Sequence, residues 1–422
     1  MTRTHPIRWA GLLLAATPVV ATSLTVPGDW PQWRGPNRDA ISVERGLLEE
    51  WRDGEPPVLW RIPIGEGFSS VSVSQGRLYT LWDEDESEFL VSLDAANGKE
   101  LWRQRVDSSF TNRWGNGPRS TPAVDSGVVY AVSARGKLVA VDAADGRALW
   151  GHDLVARYRA TIPAYGYASS PLIEADKLLV EAGGDDNRAF IAFDKATGEV
   201  VWTSQTDAAA YSSPLAITVD GVRQVVFFSA SGLFAVAPED GRLLWKHRWD
   251  SSCPATGIPT NTAQPVFIPP DKIFVSNGYG TLTGSAVFQI IRRGEAFATR
   301  PLWRSETLRN LLNSSVLQGD HLYGFDIGIL KAVDAVTGEE RWKARGFERG
   351  SLIAAAGRLI VLGEQGNLAL VEASPSAYRE RGSVQVLQGK SWTAPTLAGG
   401  RLFLRNHSEM VSLDLRADAR KP

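Results

Sequence analysis

Ala140-Val-Asp-Ala-Ala-Asp-Gly-Arg-Ala-Leu-Trp150 is the phrase that decides how this chain folds, because it returns four more times. It comes back as Ser92-Leu-Asp-Ala-Ala-Asn-Gly-Lys-Glu-Leu-Trp102 and Ala192-Phe-Asp-Lys-Ala-Thr-Gly-Glu-Val-Val-Trp202. Two further copies are Ala235-Val-Ala-Pro-Glu-Asp-Gly-Arg-Leu-Leu-Trp245 and Ala332-Val-Asp-Ala-Val-Thr-Gly-Glu-Glu-Arg-Trp342. Alternating apolar residues lead into the phrase, as a half-buried strand requires. The aspartates (Asp94, Asp142, Asp194, Asp334, with Asp414 in a truncated copy) can accept hydrogen bonds from amides two residues on and close a turn. The glycines Gly98, Gly146, Gly198, Gly241 and Gly338 permit a positive φ there. A second strand then carries the indole of Trp102, Trp150, Trp202, Trp245 or Trp342. Burying each takes roughly 150–250 Å² from water.

Two more signatures fill out the unit. Ser/Thr-x-Pro or a relative opens an apolar strand at Ser120-Thr-Pro, Ser169-Ser-Pro, Ser212-Ser-Pro, Ala263-Gln-Pro and Thr393-Ala-Pro, with weaker forms at Phe68-Ser-Ser, Asn313-Ser-Ser and Gly350-Ser-Leu. A short polar turn and another strand follow, as in Gln75-Gly-Arg-Leu-Tyr and Gly399-Gly-Arg-Leu-Phe. The expected fold is all-β: an eight-bladed propeller of four-stranded antiparallel blades, at a period of roughly 40–50 residues. The last unit stops at Met410-Val-Ser-Leu-Asp414 without a tryptophan strand, whereas Pro57-Val-Leu-Trp-Arg-Ile-Pro63 offers one, with Trp60 in place. The N-terminal strand is therefore expected to close the ring and leave no open sheet edge. Unit five, reaching Trp303 through Ile290-Ile-Arg-Arg-Gly-Glu, and unit seven, with Ala373-Ser-Pro-Ser and no tryptophan, read as degenerate copies.

The expected organisation is a signal peptide over 1–21, a leader over 22–55 packing on the propeller, the propeller over 56–415 and a charged tail over 416–422. Arg3 and Arg8 precede an apolar run from Trp9 to Ala21, shorter than the roughly 20 residues a membrane span needs. No other segment is apolar enough to cross a bilayer, and the acylatable cysteine of a lipoprotein is missing near the cleavage point, so a periplasmic or secreted location is expected. The formal charge of −2 carries no concentrated basic face, which excludes a nucleic-acid partner. Cys253 is the single cysteine, so no internal disulfide forms. The chain is expected to be a monomer.

The Asp-x-x-Thr-Gly-x-x-x-Trp phrase resembles the tryptophan motif of quinoprotein dehydrogenases, propellers with a pyrroloquinoline-quinone-type repeat that stack their indoles between blades. The repeat is also similar to that of the propeller subunit of the outer-membrane β-barrel assembly machinery. The opening Asp29-Trp-Pro-Gln-Trp-Arg-Gly-Pro-Asn-Arg38 resembles the leader of a third group, exported proteins of unassigned role. The resemblance spans 29–415 and departs from the dehydrogenases where their chemistry lies. Their adjacent cysteine pair is absent, since Cys253 stands between Ser252 and Pro254, and so is a Cys-x-x-Cys-His haem motif.

Propellers bind at the channel mouth, in loops that join one blade to the next. Here those loops supply Arg113, Trp114, Asn116, Arg119, Tyr165, Tyr167, Asn261, Asn310, Asn313, Arg349, Lys390 and Trp392. Such residues suit a small anionic, planar or extended ligand, or a protein partner, through charge-assisted hydrogen bonds and stacking. In the other reading the same side chains fill the channel and satisfy each other. No residue reads as catalytic and none as a metal ligand. His152, His247, His321 and His407 are scattered and read as surface groups, and the acidic run Asp83–Glu88 reads as a solvated hairpin tip. The resulting expectation is an exported, non-catalytic binding or scaffolding module with no cofactor, in the manner of envelope protein assembly. The alternative is an oxidoreductase of alcohols or sugars using pyrroloquinoline quinone and Ca²⁺. A polymer hydrolase would need paired carboxylates in the funnel, and none is found there.

Overall fold

The computed structural model describes residues 28–51, 56–249, 251, 253, 256–280 and 283–418. The expected signal segment and the last four residues of the tail lie outside them. Among the described residues the strands form eight sheets, seven of four strands and one of five; the four strands of each blade are antiparallel, and the fifth strand, Ile41–Ser42, is added in parallel. No described helix is long and apolar enough to cross a membrane.

Each blade runs from a short inner strand to an exposed outer one. In blade two these are Ala123–Asp125, Val128–Val132, Lys137–Asp142 and Ala148–Asp153. The turn residues act as their chemistry requires: Asp142 Oδ1 accepts from the Ala144 amide at 2.9 Å, and Asp94, Asp194, Asp334 and Asp414 accept in the same way. Gly146 has φ +76°, and a Cβ there would stand 2.6 Å from the indole of Trp102 in the preceding blade. Glycine is thus needed both for the turn and for the close approach of the neighbouring ring.

That neighbouring ring also makes a directed bond. Trp60, Trp102, Trp150, Trp202, Trp303 and Trp342 each donate Nε1–H, at 2.7–3.2 Å, to the carbonyl just after the turn aspartate or its substitute in the next blade: Ala95, Ala143, Lys195, Pro238, Ala335 and Ser374. A register shift beside each indole bulges out the preceding residue, which explains the exposed Leu59, Leu101, Leu149, Val201 and Leu302.

The Ser/Thr-x-Pro signature has a second role that strand patterning does not reveal. Its hydroxyl accepts from the equivalent amide of the previous blade: Ser70 N to Thr121 Oγ1, Thr121 N to Ser170 Oγ, Ser170 N to Ser213 Oγ and Gln264 N to Ser314 Oγ, at 2.7–3.1 Å. Inner strands that meet at the axis have no sheet partner on that side, so these hydroxyls satisfy their first amides.

The two irregular units are repaired rather than decayed, which corrects the sequence reading. Blade five extends its outer hairpin over Gly284–Arg293 and Ala296–Ser305 and packs Phe288, Ile290 and Phe297 with Leu244, Trp245 and Trp249. With no aspartate turn there to receive it, Trp245 Nε1 donates to Gln224 Oε1 of its own blade at 2.7 Å. In blade seven the Ser374 carbonyl serves as acceptor without any aspartate.

The strand Val58–Pro63 pairs antiparallel with Glu409–Asp414 and is the outer strand of blade eight, with Val58 opposite Leu413 and Trp60 opposite Ser412. Residues 30–42 cross the channel. Trp30 pairs with Val73 of blade one, the Pro31 carbonyl accepts from Val124 of blade two, and Ile41–Ser42 pairs in parallel with blade seven. Two buried arginines secure the crossing. Arg38 donates to Pro171 O at 2.9 Å and Ser170 O at 3.1 Å in blade three, and Arg34 to Ser314 O at 3.1 Å and Ser315 O at 2.7 Å in blade six. Past the final strand, Arg416 bridges to Leu47 and Ala417 N donates to Gly46 O, so the start of the charged tail is tied to the leader.

Candidate functional site

Residues 30–42 lie across the channel, tied to blades on several sides of the axis. A cavity of about 250 Å³ remains, bordered by Trp33 of the leader. Its walls are Phe68, Trp114, Tyr165, Tyr211, Tyr279, Leu312 and Trp392, with Asn112, Ser170, Ser213, Thr260, Thr262, Asn313 and Thr393 supplying polar atoms and Arg119 and Arg349 the charge. Among the described residues no carboxylate lines it.

Local bonding sets these side chains. Phe68 stacks on Trp392 at 5.5 Å and meets the His407 ring edge-on at 4.3 Å. Arg119 lies over Phe68 and Phe110 and donates to the Gly115 carbonyl at 2.7 Å and to the Gly117 carbonyl. Burial lowers its pKa to about 10, with nearby Glu88 opposing the shift, and it remains a cation at neutral pH. Arg349 lies over Trp392 at 5.7 Å. Tyr165 tilts on Tyr211 at 5.5 Å, and burial raises the Tyr211 phenol above its ordinary range. Trp392 Nε1 is buried at this wall without a hydrogen-bond partner.

Of the twelve residues expected at the mouth, Trp114, Arg119, Tyr165, Asn313, Arg349 and Trp392 line the cavity. The others hold the rim or the frame. Lys390 reaches over Trp392 and donates Nζ to the Trp114 carbonyl at 2.6 Å, tying two loops across the mouth. Arg113 is exposed beside Trp114, and Asn116 Oδ1 accepts from the Asn112 amide. Tyr167, Asn261 and Asn310 are buried braces that donate to the carbonyls of Ala182, Ser229 and Phe325. Six of the twelve thus border one cavity, with Trp33 of the leader beside them. Trp33, Phe68, Tyr211 and Tyr279 also line the cavity, and the repeat does not mark them as lining residues. The aromatic-rich 30–33 stretch was the one available signal, and nothing in a sequence period places it at the axis.

Two sequence readings need correction. His152, His247, His321 and His407 are all partly buried rather than on the surface, and burial lowers the His407 pKa to about 4, helped by Arg405, Lys390 and Arg119. In the acidic run only the tip is solvated. Glu88 is fully buried and accepts from the Ala134 amide at 2.9 Å, and burial raises its pKa to about 8. Glu181, accepting from Ala210 N at 3.0 Å, is likewise raised to about 8 by burial. Among the described residues no group of three or more His, Cys, Asp or Glu could hold a metal ion.

These glutamates give a pH prediction. Each keeps its proton in the folded chain up to about pH 8 but loses it near pH 4.5 when unfolded. Their stabilising contribution is complete below pH 4.5 and is lost as pH rises through 8. Thermal stability is expected to fall between pH 6.5 and 8.5, by about 2 kcal/mol per carboxyl. Melting curves of Glu88→Gln and Glu181→Gln across that range should each show a shallower slope, and slopes matching the wild type would refute the assignment.

A family model described as outer membrane protein assembly factor BamB matches residues 49–150 and 88–344. The chain is 32% identical over 139 residues to quinohemoprotein alcohol dehydrogenase ADH IIB of Pseudomonas putida, covering 32% of this chain and 18% of that protein. It is 24% identical over 223 residues to outer membrane protein assembly factor BamB of Yersinia pestis, covering 50% of this chain and 51% of the other. It thus spans about half, or less, of the curated relatives it matches. The solved structure of BamB from Moraxella catarrhalis aligns with a TM-score of 0.60 at 17% identity, over 85% of this chain and 98% of that one, a likeness of fold.

Proposed function

From the premise that the chain belongs to the outer membrane protein assembly factor BamB family, we propose that it is a non-catalytic propeller of the cell envelope, exported and acting as a binding or scaffolding module. The funnel's composition carries this reading: aromatic walls and two arginines, without a carboxylate among the described lining residues. Such a surface can hold an anionic or aromatic group by stacking and charge. Among the described lining residues it offers neither a carboxylate nor a histidine to take a proton from a substrate.

The rival, quinone chemistry with Ca²⁺, is tested by the donor set. Ca²⁺ takes six to eight oxygen ligands, usually including carboxylates. The lining offers hydroxyls, two asparagines and two cations instead. The arginines would repel the metal, and the sequence has no cysteine pair to stand beside a quinone. The residues present do not fit the metal–quinone pair, and no reaction step is assigned to it.

The test is to add pyrroloquinoline quinone and Ca²⁺ to the purified full chain and follow dye reduction with alcohols, sugars and polyvinyl alcohol as donors. Reduction no faster than in the protein-free mixture is expected. Turnover that disappears in Arg349→Ala would overturn the proposal.

A further inference from the structure

The joint between blades seven and eight breaks the rule that each outer strand docks an indole on the next blade. Register identifies the vacancy. Trp150 stands opposite Ala140, Trp202 opposite Ala192 and Trp342 opposite Ala332, and in blade seven Gly382 holds that place, opposite Leu370. The space above Gly382 is nonetheless filled. A Cβ built on it would lie 2.6 Å from the Cβ of Trp51 and 3.1 Å from its nitrogen. The Trp51 amide donates to the Arg381 carbonyl at 2.9 Å, and the side chain is buried in one apolar cluster with Leu47, Leu370, Leu397, Leu413 and Leu415.

The acceptor of the joint is taken as well. In the regular joints the carbonyl after the turn aspartate receives an indole N–H. In blade eight that carbonyl belongs to Leu415, and it receives the backbone amide of Leu48 at 2.6 Å. Trp51 Nε1 is correspondingly left without an acceptor. Upstream, the Glu44 carboxylate accepts from the amides of Gly399 and Gly400 in blade eight at 2.9 and 2.5 Å.

We propose that the joint between blades seven and eight is a binding slot for an extended, indole-bearing segment, and that the chain fills it with its own leader. Trp51 replaces the tryptophan that blade seven lacks, and the Leu48 amide replaces the indole N–H. The ligand class follows from the contacts: a main-chain donor for the Leu415 carbonyl, with a tryptophan three residues later on the glycine of the outer strand.

The test uses the full chain carrying Trp51→Ala. Its melting temperature should fall by about 5 °C, from the size of a buried-indole truncation and the unfolding entropy of a chain this long. Millimolar indole, which fits the cavity left behind, should recover part of the loss without moving the wild type. Hydrogen exchange at the Leu48 and Trp51 amides should quicken at least tenfold. Should the alanine variant not accumulate, Trp51→Phe is measured in the same way and should lose less. A variant that melts with the wild type, or one whose loss indole does not recover while the Leu48 amide stays protected, overturns the proposal.

Discussion

Replacing Arg38 with alanine is expected to destabilise the propeller by about 3–5 kcal/mol, through buried acceptors left unpaired and a cavity at the axis. The guanidinium is fully buried and donates to the carbonyls of Ser170 and Pro171 and to Gln32 Oε1. Burial, and after it the neighbouring Arg34 charge, lowers its pKa to about 9, so it remains a cation at neutral pH. A charge so far from water is tolerated only when its hydrogen bonds are met. Here two backbone carbonyls at the start of an inner strand and the Gln32 side chain take three of them, while Nε is buried without a partner, and those carbonyls have no strand across the axis to turn to. Without the side chain, water must reach the centre of the ring or several acceptors go unbonded. Ser170 and Trp33 border the cavity, so the same change should loosen the funnel. Urea denaturation of Arg38→Ala against the wild type measures the loss. A difference below about 1 kcal/mol would show that the leader's crossing does not brace the ring.

How much of this could be read from the sequence depended on whether a residue's role recurs. The turn aspartates, the glycines and the indoles do the same work in successive blades, so repetition exposed both the blade and its internal order. The Ser/Thr-x-Pro signature was visible for the same reason, but its proline explained the strand opening and concealed the hydroxyl, whose partner lies one blade away. Single events were not legible. Trp51 sits in no repeat, and its slot shows only when Gly382 is matched by register to Trp150 and Trp342. Blade five looked decayed because its hairpin replaces a turn with apolar bulk, which only contact with Leu244 and Trp245 explains.

The funnel divides in a similar way. Loops joining the blades were identifiable, but whether a side chain turns to the axis depends on the few dihedrals around it. Tyr165 and Tyr167 are two residues apart, yet one lines the cavity and the other is a buried brace. Asn310 and Asn313 part in the same manner. Aromatic and arginine content thus announced a site without fixing its membership, and Trp33 arrives from a segment that no blade period includes.

The second large effect concerns ring closure. Blade eight holds three strands from the end of the chain and one from its beginning, in a register running from Val58 opposite Leu413 to Pro63 opposite Glu409. Trp60 then docks on Ala95 of blade one, and buried Arg405 donates to the carbonyls of Gly65, Gly67 and Leu81. No covalent bond joins the two ends, so unfolding releases a loop that includes nearly the whole ring. Tying it removes chain entropy from the unfolded state, worth up to about 5 kcal/mol for so long a loop. Pro63 and Glu409 face each other near the surface, where directly opposed strand residues have Cα atoms about 4.5–5.5 Å apart, within disulfide range. The decisive measurement is therefore oxidation of a Pro63→Cys, Glu409→Cys variant that also carries Cys253→Ser, so that only the two new thiols are present, read by thiol titration and melting temperature. The expected result is one intramolecular disulfide and a rise in melting temperature that reductant reverses. Two thiols that stay free in the folded protein, or that join only between chains, would contradict closure of the ring by its own ends.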